Sequence, residues 1–116
     1  MKGYIRKRAK SFGYAWKGIV YLFRNESNAK IHLVAAVGVI TAGLVVRLER
    51  WEWCAVLLCI GGVWMAEAFN TALEKVCDKV SPEYAPLIGT AKDVAAAAVL
   101  LFVAAAVAVG AIVFLL

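Results

Sequence analysis

The chain has 116 residues, of which 64% are hydrophobic and 18% are charged, and its formal net charge is +5 at pH 7. Soluble globular domains contain about 45–50% apolar and about 25% charged residues, so this composition excludes an ordinary water-soluble domain. The length suits one domain, and no internal repeat, low-complexity tract or linker divides the chain. We therefore expect a single integral membrane domain over residues 1–116.

The first element in chain order is a basic amphipathic helix over about residues 4–24. Its apolar and basic side chains recur at helical spacing on opposite faces. The apolar ones are Ile5, Phe12, Trp16, Ile19 and Phe23, and the basic ones are Arg6, Lys7, Lys10, Lys17 and Arg24. This pattern is typical of a helix on the inner leaflet of a membrane. A solvated helix that packs its apolar face on a bundle fits the pattern equally well. No clean apolar core or cleavage site follows, so we expect no secretory signal peptide.

Three apolar stretches follow, and we expect each to cross the bilayer. The first covers about 31–46 and is interrupted only by His32 and Thr41. The second, about 51–73, carries acidic and amide side chains. The third, 94–116, has 23 residues without an ionisable side chain, which as a helix spans a hydrocarbon core of about 30 Å. The three cysteines lack CxxC spacing, and we expect them to be reduced packing residues.

The distribution of basic residues predicts the orientation. Of the 13 Lys and Arg residues, all but Arg47 and Arg50 precede the first span or lie between the second and third spans. Under the positive-inside rule, the N-terminus and the second connection are cytoplasmic and the C-terminus lies outside. We expect a multi-pass membrane protein that has no nucleic-acid partner, since its cations lie where anionic headgroups attract them.

The cytoplasmic end of the second span carries the polar residues Glu67, Asn70, Glu74 and Asp78. In a helix they fall within roughly 80° of arc, so they form one polar stripe. Ionisable residues within spans usually face a bundle interior or a cavity and mark function. A helix that simply leaves the membrane would also become polar, but the neighbours of Glu67 are apolar. The stripe therefore predicts a functional site.

Two other polar clusters reach the same cytoplasmic level, at residues 24–26 (RNE) and 91–93 (AKD). Carboxylates suit Mg²⁺, which typically takes one or two protein carboxylates plus substrate phosphates, and a lysine suits nucleotide phosphates. No GxxxxGK[ST] motif is present, so the nucleotide site would be unconventional. A small oligomeric proton-coupled transporter that uses Glu67 is the alternative of another class, and a structural membrane subunit is the third. Clustering of the acids at one surface, next to basic residues, favours nucleotide chemistry.

The motifs EAFNTALEKVCD and AKDVAAAAVLL, with YAWKG and RNE upstream, resemble the prokaryotic diacylglycerol kinase family, which includes the undecaprenol kinases. The resemblance runs from about residue 12 to the C-terminus. It implies a homotrimer of three-span protomers in a bacterial inner membrane, each with an N-terminal surface helix. It also implies active sites shared between neighbouring subunits, which phosphorylate a membrane lipid alcohol with ATP and Mg²⁺.

Position by position, the resemblance implies roles for individual residues. Glu67 corresponds to the catalytic base that takes the proton from the lipid hydroxyl, and Asn70 supports it. Glu26 and Glu74 correspond to the acids that bind the nucleotide and its Mg²⁺. Ala96 falls near the lipid, as Glu67 does. The remaining ATP contacts implied by the resemblance are Tyr14, Glu83, Tyr84, Lys92 and Asp93.

The choice of lipid rests on smaller features. NAKIH at 28–32 and EW at 52–53 look more like the undecaprenol kinase branch than the diacylglycerol kinase branch. His32 fits a structural histidine at least as well as a lipid contact. Ala85 stands where relatives often carry a histidine. We expect undecaprenol as the acceptor, with diacylglycerol as the alternative.

Overall fold

The computed structural model describes all 116 residues and contains four helices and no strand. The helices are α1 (Lys2–Asn25), α2 (Ser27–Val46), α3 (Arg50–Val80) and α4 (Pro86–Leu115). The last three are each long and apolar enough to cross a membrane. The expected all-α membrane fold, with three spans after an N-terminal helix, is therefore confirmed.

A single residue, Glu26, separates α1 from α2. Its backbone is extended, with φ −102° and ψ 117°, so it ends the first helix and precedes the second. Its N–H donates to the carbonyl of Leu22 at 3.0 Å, and its own carbonyl accepts from the N–H of Lys30 at 3.2 Å. The chain therefore turns a corner at Glu26, and this carboxylate is held at the junction of two helices.

A tight turn joins α2 to α3 at the opposite end of the bundle. Arg47 adopts the left-handed conformation with φ 60°, and Glu49 caps α3. Glu49 and Glu52 form a capping box, in which the side chain of each residue accepts a hydrogen bond from the backbone N–H of the other. The indole N–H of Trp51 also donates to Glu49 at 3.0 Å. Because the turn is so short, α2 and α3 must run antiparallel.

The centre of the bundle is α3, which packs most extensively against α4 and also contacts α2. Gly62 has no side chain, and the ring of Phe102 from α4 occupies the space that a Cβ would take. On the other side, Phe23 of α1 and Trp64 of α3 make an edge-to-face pair with ring centroids 5.3 Å apart. Small residues at helix interfaces allow this close approach in membranes.

Most of the chain is open to its surroundings, because only 11 of the 116 residues are buried. The molecule measures 47 × 47 × 22 Å. A helix as long as α3 accounts for about 46 Å in one direction, so α1 projects sideways to give the second long dimension. Three of the buried residues are polar, namely Glu67, Asn70 and Thr71. Polar side chains are therefore among the most enclosed groups of the bundle.

Candidate active site

The polar stripe of α3 runs from the inside of the bundle to its surface. Glu67 is 1% exposed and Asn70 is 8% exposed. Glu74 is half-buried and Asp78 is exposed. Both of these residues lie toward the C-terminal end of α3, which ends at Val80. The stripe therefore runs from the buried interior of the bundle to its exposed surface.

Glu67 is the most deeply buried large side chain, and its Oε2 atom has no hydrogen-bond partner. The nearest basic group is Nε2 of His32 on α2, at 4.0 Å. This distance exceeds a hydrogen bond, which spans about 2.7–3.2 Å between heavy atoms. The carboxylate is therefore free to accept a proton from a group placed beside it.

Three further buried polar atoms near this level also lack partners. They are Nε1 of Trp64, Oδ1 of Asn70 and Oγ1 of Thr71. Buried polar groups in folded proteins are almost always hydrogen-bonded, so each exception needs an explanation. Four such atoms within three turns of one helix make this part of α3 a candidate ligand site.

Two more carboxylates lie within electrostatic range of Glu67. They belong to Glu26, at the corner between α1 and α2, and to Glu74, two turns further along α3. Like charges repel each other, so these carboxylates together favour a cation between them. No group of three or more His, Cys, Asp and Glu residues is arranged to hold a metal ion by protein ligands alone. Two carboxylates nevertheless fit Mg²⁺, which binds one or two of them together with nucleotide phosphates.

Lys92 lies at the start of α4 and pairs with the end of the stripe. Its Nζ donates to Oδ1 of Asp78 at 2.7 Å, and it also interacts electrostatically with Glu74. Both partners of the ion pair are partly or largely exposed. The pair joins α3 to α4 and holds an ammonium group beside one of the clustered acids. Exposed ion pairs contribute little to stability, so the ammonium is free to exchange partners.

Lys75 has no site role predicted from the sequence, yet it lies close to the other charged residues of the site. Its Nζ lies 5.2 Å from the ring centroid of Tyr21 on α1. Its charge also interacts with Glu26 and Asp78. In the sequence, Lys75 counted only toward membrane orientation. The available signal was the i, i+3 spacing of Lys75 and Asp78, because residues three apart are neighbours on a helix surface.

The other expected site residues are all exposed and do not meet Glu67 within one chain. They are Tyr14, Glu83, Tyr84, Asp93 and Ala96. Tyr14 lies on α1 about 18 Å before Glu26, as counted along the helix, and its nearest cation is Lys17, 5.9 Å from its ring centroid. Asp93 directly follows Lys92 on α4. One chain therefore brings together the acids of α3, the corner acid and the lysine, and leaves these five apart.

Comparison with known proteins places this arrangement in context. The family model for prokaryotic diacylglycerol kinase matches residues 13–114. The chain is 39% identical to the undecaprenol kinase of Bacillus subtilis over 91% of this chain and 86% of that protein. It is 45% identical to a diacylglycerol kinase of Synechocystis over 86% of this chain, but spans only 58% of that longer protein. It is 31% identical to the diacylglycerol kinase of Escherichia coli over 84% of this chain and 80% of that protein.

Proposed function

Because the chain belongs to the prokaryotic diacylglycerol kinase family, and is therefore a membrane lipid kinase that uses ATP, we propose that its acceptor is undecaprenol. The reaction takes place at the cytoplasmic surface of a bacterial inner membrane, with the N-terminus of the protein in the cytoplasm. Diacylglycerol is the second candidate. The undecaprenol kinase relative supports the first choice, since the match covers most of both proteins. The residues at 28–32 support it from the sequence.

The observation that carries the mechanism is the buried carboxylate of Glu67. Its Oε2 has no hydrogen-bond partner and lies where the apolar part of α3 gives way to its polar end, and this would suit a lipid hydroxyl group at the membrane surface. In the proposed reaction, Oε2 takes the hydroxyl proton while the hydroxyl oxygen bonds to the γ-phosphorus. The bond from that phosphorus to the β-phosphate oxygen breaks, and ADP leaves. Asn70, one turn away and also without a partner at Oδ1, orients the hydroxyl. Such a base contributes about 10²–10⁴-fold to the rate.

Glu26 and Glu74 would hold Mg²⁺ on the nucleotide. The ion would supply charge neutralisation for the phosphates, which is a main requirement of phosphoryl transfer. The support for this assignment is that both carboxylates interact electrostatically with Glu67, the proposed base. Lys92 releases Asp78 and binds a phosphate instead. Nearby Lys75 adds positive charge to the same layer.

The remaining ATP contacts are proposed to come together in a homotrimer. Tyr14, Glu83, Tyr84 and Asp93 are exposed and lie apart from Glu67 within one chain. A neighbouring copy would bring such residues to the acids. The large apolar surface that the single chain leaves uncovered would be shared between subunit contacts and lipid. Residues 1–116 would act as one domain, with α1 on the inner leaflet and Ala96 beside the lipid.

The test is phosphate transfer from labelled ATP in lipid micelles that contain Mg²⁺. Undecaprenol and diacylglycerol are offered separately, with and without a chelator of divalent cations. We expect a labelled product from undecaprenol that disappears when the metal is removed. Equal or greater labelling of diacylglycerol would refute the assignment of undecaprenol. Labelling of neither lipid by well-folded protein would refute both acceptors.

A further inference from the structure

A cavity of about 240 Å³ lies between α2, α3 and α4, on the membrane side of Glu67. On α3 its lining extends from Val56 to Trp64, and on α4 from Val103 to Gly110. At 1.5 Å per helical residue, the cavity is about 10–12 Å long. Trp64 precedes Glu67 by less than one turn, so the cavity begins just below the catalytic carboxylate and leads toward the middle of the bilayer.

The polar groups of this cavity are confined to the end nearest Glu67. Twelve of its 14 lining residues are hydrophobic, and the other two are His32 and a glycine. His32 lies 4.0 Å from Glu67. The indole N–H of Trp64, close to the same end, is buried without a partner. Below these groups, the walls consist of alanine, valine and isoleucine with one cysteine, and they offer no strong hydrogen-bond donor.

This distribution matches one class of alcohol. An isoprenoid alcohol carries hydrocarbon directly behind its hydroxyl group, so the hydroxyl alone needs polar partners. A diacylglycerol carries two ester groups within a few bonds of its hydroxyl. Esters placed against these walls would lose hydrogen bonds to water without replacement, which is unfavourable. The cavity is also smaller than a typical ligand pocket, so it suits the first part of a long chain whose remainder lies in the bilayer.

We propose that this cavity binds the hydroxyl-proximal carbons of the acceptor and thereby selects isoprenoid alcohols over diacylglycerol. The inference rests on the proposed function, because it takes Glu67 as the base for the bound hydroxyl. It adds a site and a physical cause of specificity. Glu67 does not line the cavity itself, but Nε2 of His32, which does line it, lies 4.0 Å from Oε2 of Glu67 and so marks the reacting end. The apolar walls of α2, α3 and α4 select the chain.

The first test narrows the cavity with Ala106→Leu and compares it with Ala108→Leu. Ala106 lines the cavity, whereas Ala108 is an exposed alanine outside it on the same helix. Adding or removing a methylene in an apolar pocket changes discrimination by about 10-fold or more. We expect Ala106→Leu to raise KM for undecaprenol by at least about tenfold, and to lower the ratio of kcat/KM for undecaprenol to that for diacylglycerol. Ala108→Leu should leave both quantities within about twofold of wild type.

The proposal is overturned if Ala106→Leu behaves like Ala108→Leu, or if it weakens both lipids equally. A failure of the proposed function is distinguishable, because wild-type protein would then phosphorylate neither lipid before any variant is made.

A second measurement needs no substitution and does not depend on turnover. Cys59 lines the cavity, and Cys54 lies on the exposed surface of the same helix. Both are alkylated with a membrane-permeant maleimide in micelles that contain undecaprenol, diacylglycerol or neither, and labelling is followed by mass spectrometry. We expect undecaprenol to slow labelling of Cys59 but not of Cys54, and diacylglycerol to protect neither. Equal protection of Cys59 by both lipids, or by neither, contradicts the proposal.

Discussion

Substitution of Glu67 by glutamine should separate catalysis from stability. The side chain keeps its size, so packing is preserved, but an amide cannot take the hydroxyl proton. A general base contributes about 10²–10⁴-fold, which corresponds to about 3–5 kcal/mol of activation free energy. We expect kcat to fall by this factor. The stability of the fold should not fall with the activity, because the Glu67 carboxylate is 1% exposed and its Oε2 has no hydrogen-bond partner. Removal of a poorly compensated buried charge leaves stability unchanged or increases it.

The assay combines phosphate transfer at saturating lipid and ATP with thermal unfolding in the same detergent. Glu52→Gln is the matched control, because Glu52 lies at the opposite end of the same helix. Glutamine serves equally well at this position of a capping box, so neither activity nor stability should change. If Glu67→Gln retains activity within tenfold of wild type, Glu67 is not the base. A lower unfolding temperature would instead indicate that the carboxylate has a structural role.

Gly62→Ala should lower the free energy of unfolding by about 1–3 kcal/mol, because the new Cβ overlaps the ring of Phe102. Adding Phe102→Leu should recover the lost stability. If thermal unfolding shows no recovery in the double variant, the contact is not the cause. Glu49→Ala removes the cap of α3 and should lower stability by about 0.5–2 kcal/mol, with KM for ATP unchanged; an altered KM would show that this turn communicates with the nucleotide site. Lys92→Ala should raise KM for ATP strongly, whereas Asp78→Asn should change it little, because the proposed phosphate contact needs the lysine and not the aspartate that pairs with it in this structure. Equal effects in ATP titrations would refute this division of roles.

The number and order of the helices could be predicted from the sequence, because each span contains a long apolar run and basic residues mark the connections. The ends of the helices could be predicted less accurately. Hydropathy ends the second span at about residue 73, whereas α3 continues to Val80. The last turns hold good helix formers, and the helix ends two residues before Pro82, since the residue preceding a proline avoids helical geometry. Hydropathy indicates only the part of a helix that lies within the membrane, whereas α3 continues beyond that part.

Part of the candidate site was also visible in the sequence. The spacing of Glu67 and Asn70 predicts a shared helix face, and both prove to be buried. Periodicity cannot show which side chain of another helix faces them, because helix rotation is set by packing between partners. The 4.0 Å approach of His32 to Glu67 depends on such packing. So does the position of Lys75 over Tyr21. The cavity below Glu67 is a property of three helices together and has no signature in any one of them.

The depth of Glu67 determines how this enzyme meets its substrates. ATP arrives from a volume, and its supply is described by an ordinary concentration. In the proposed reaction, the lipid would arrive from a surface, by lateral diffusion to the cavity among the spans. Its effective concentration is therefore its mole fraction among the surrounding lipids. Adding inert lipid or detergent at a constant total amount of acceptor would slow the reaction, although nothing in the protein has changed. In a cell, the rate would follow the composition of the bilayer and respond to any enzyme that enriches or depletes the free alcohol there.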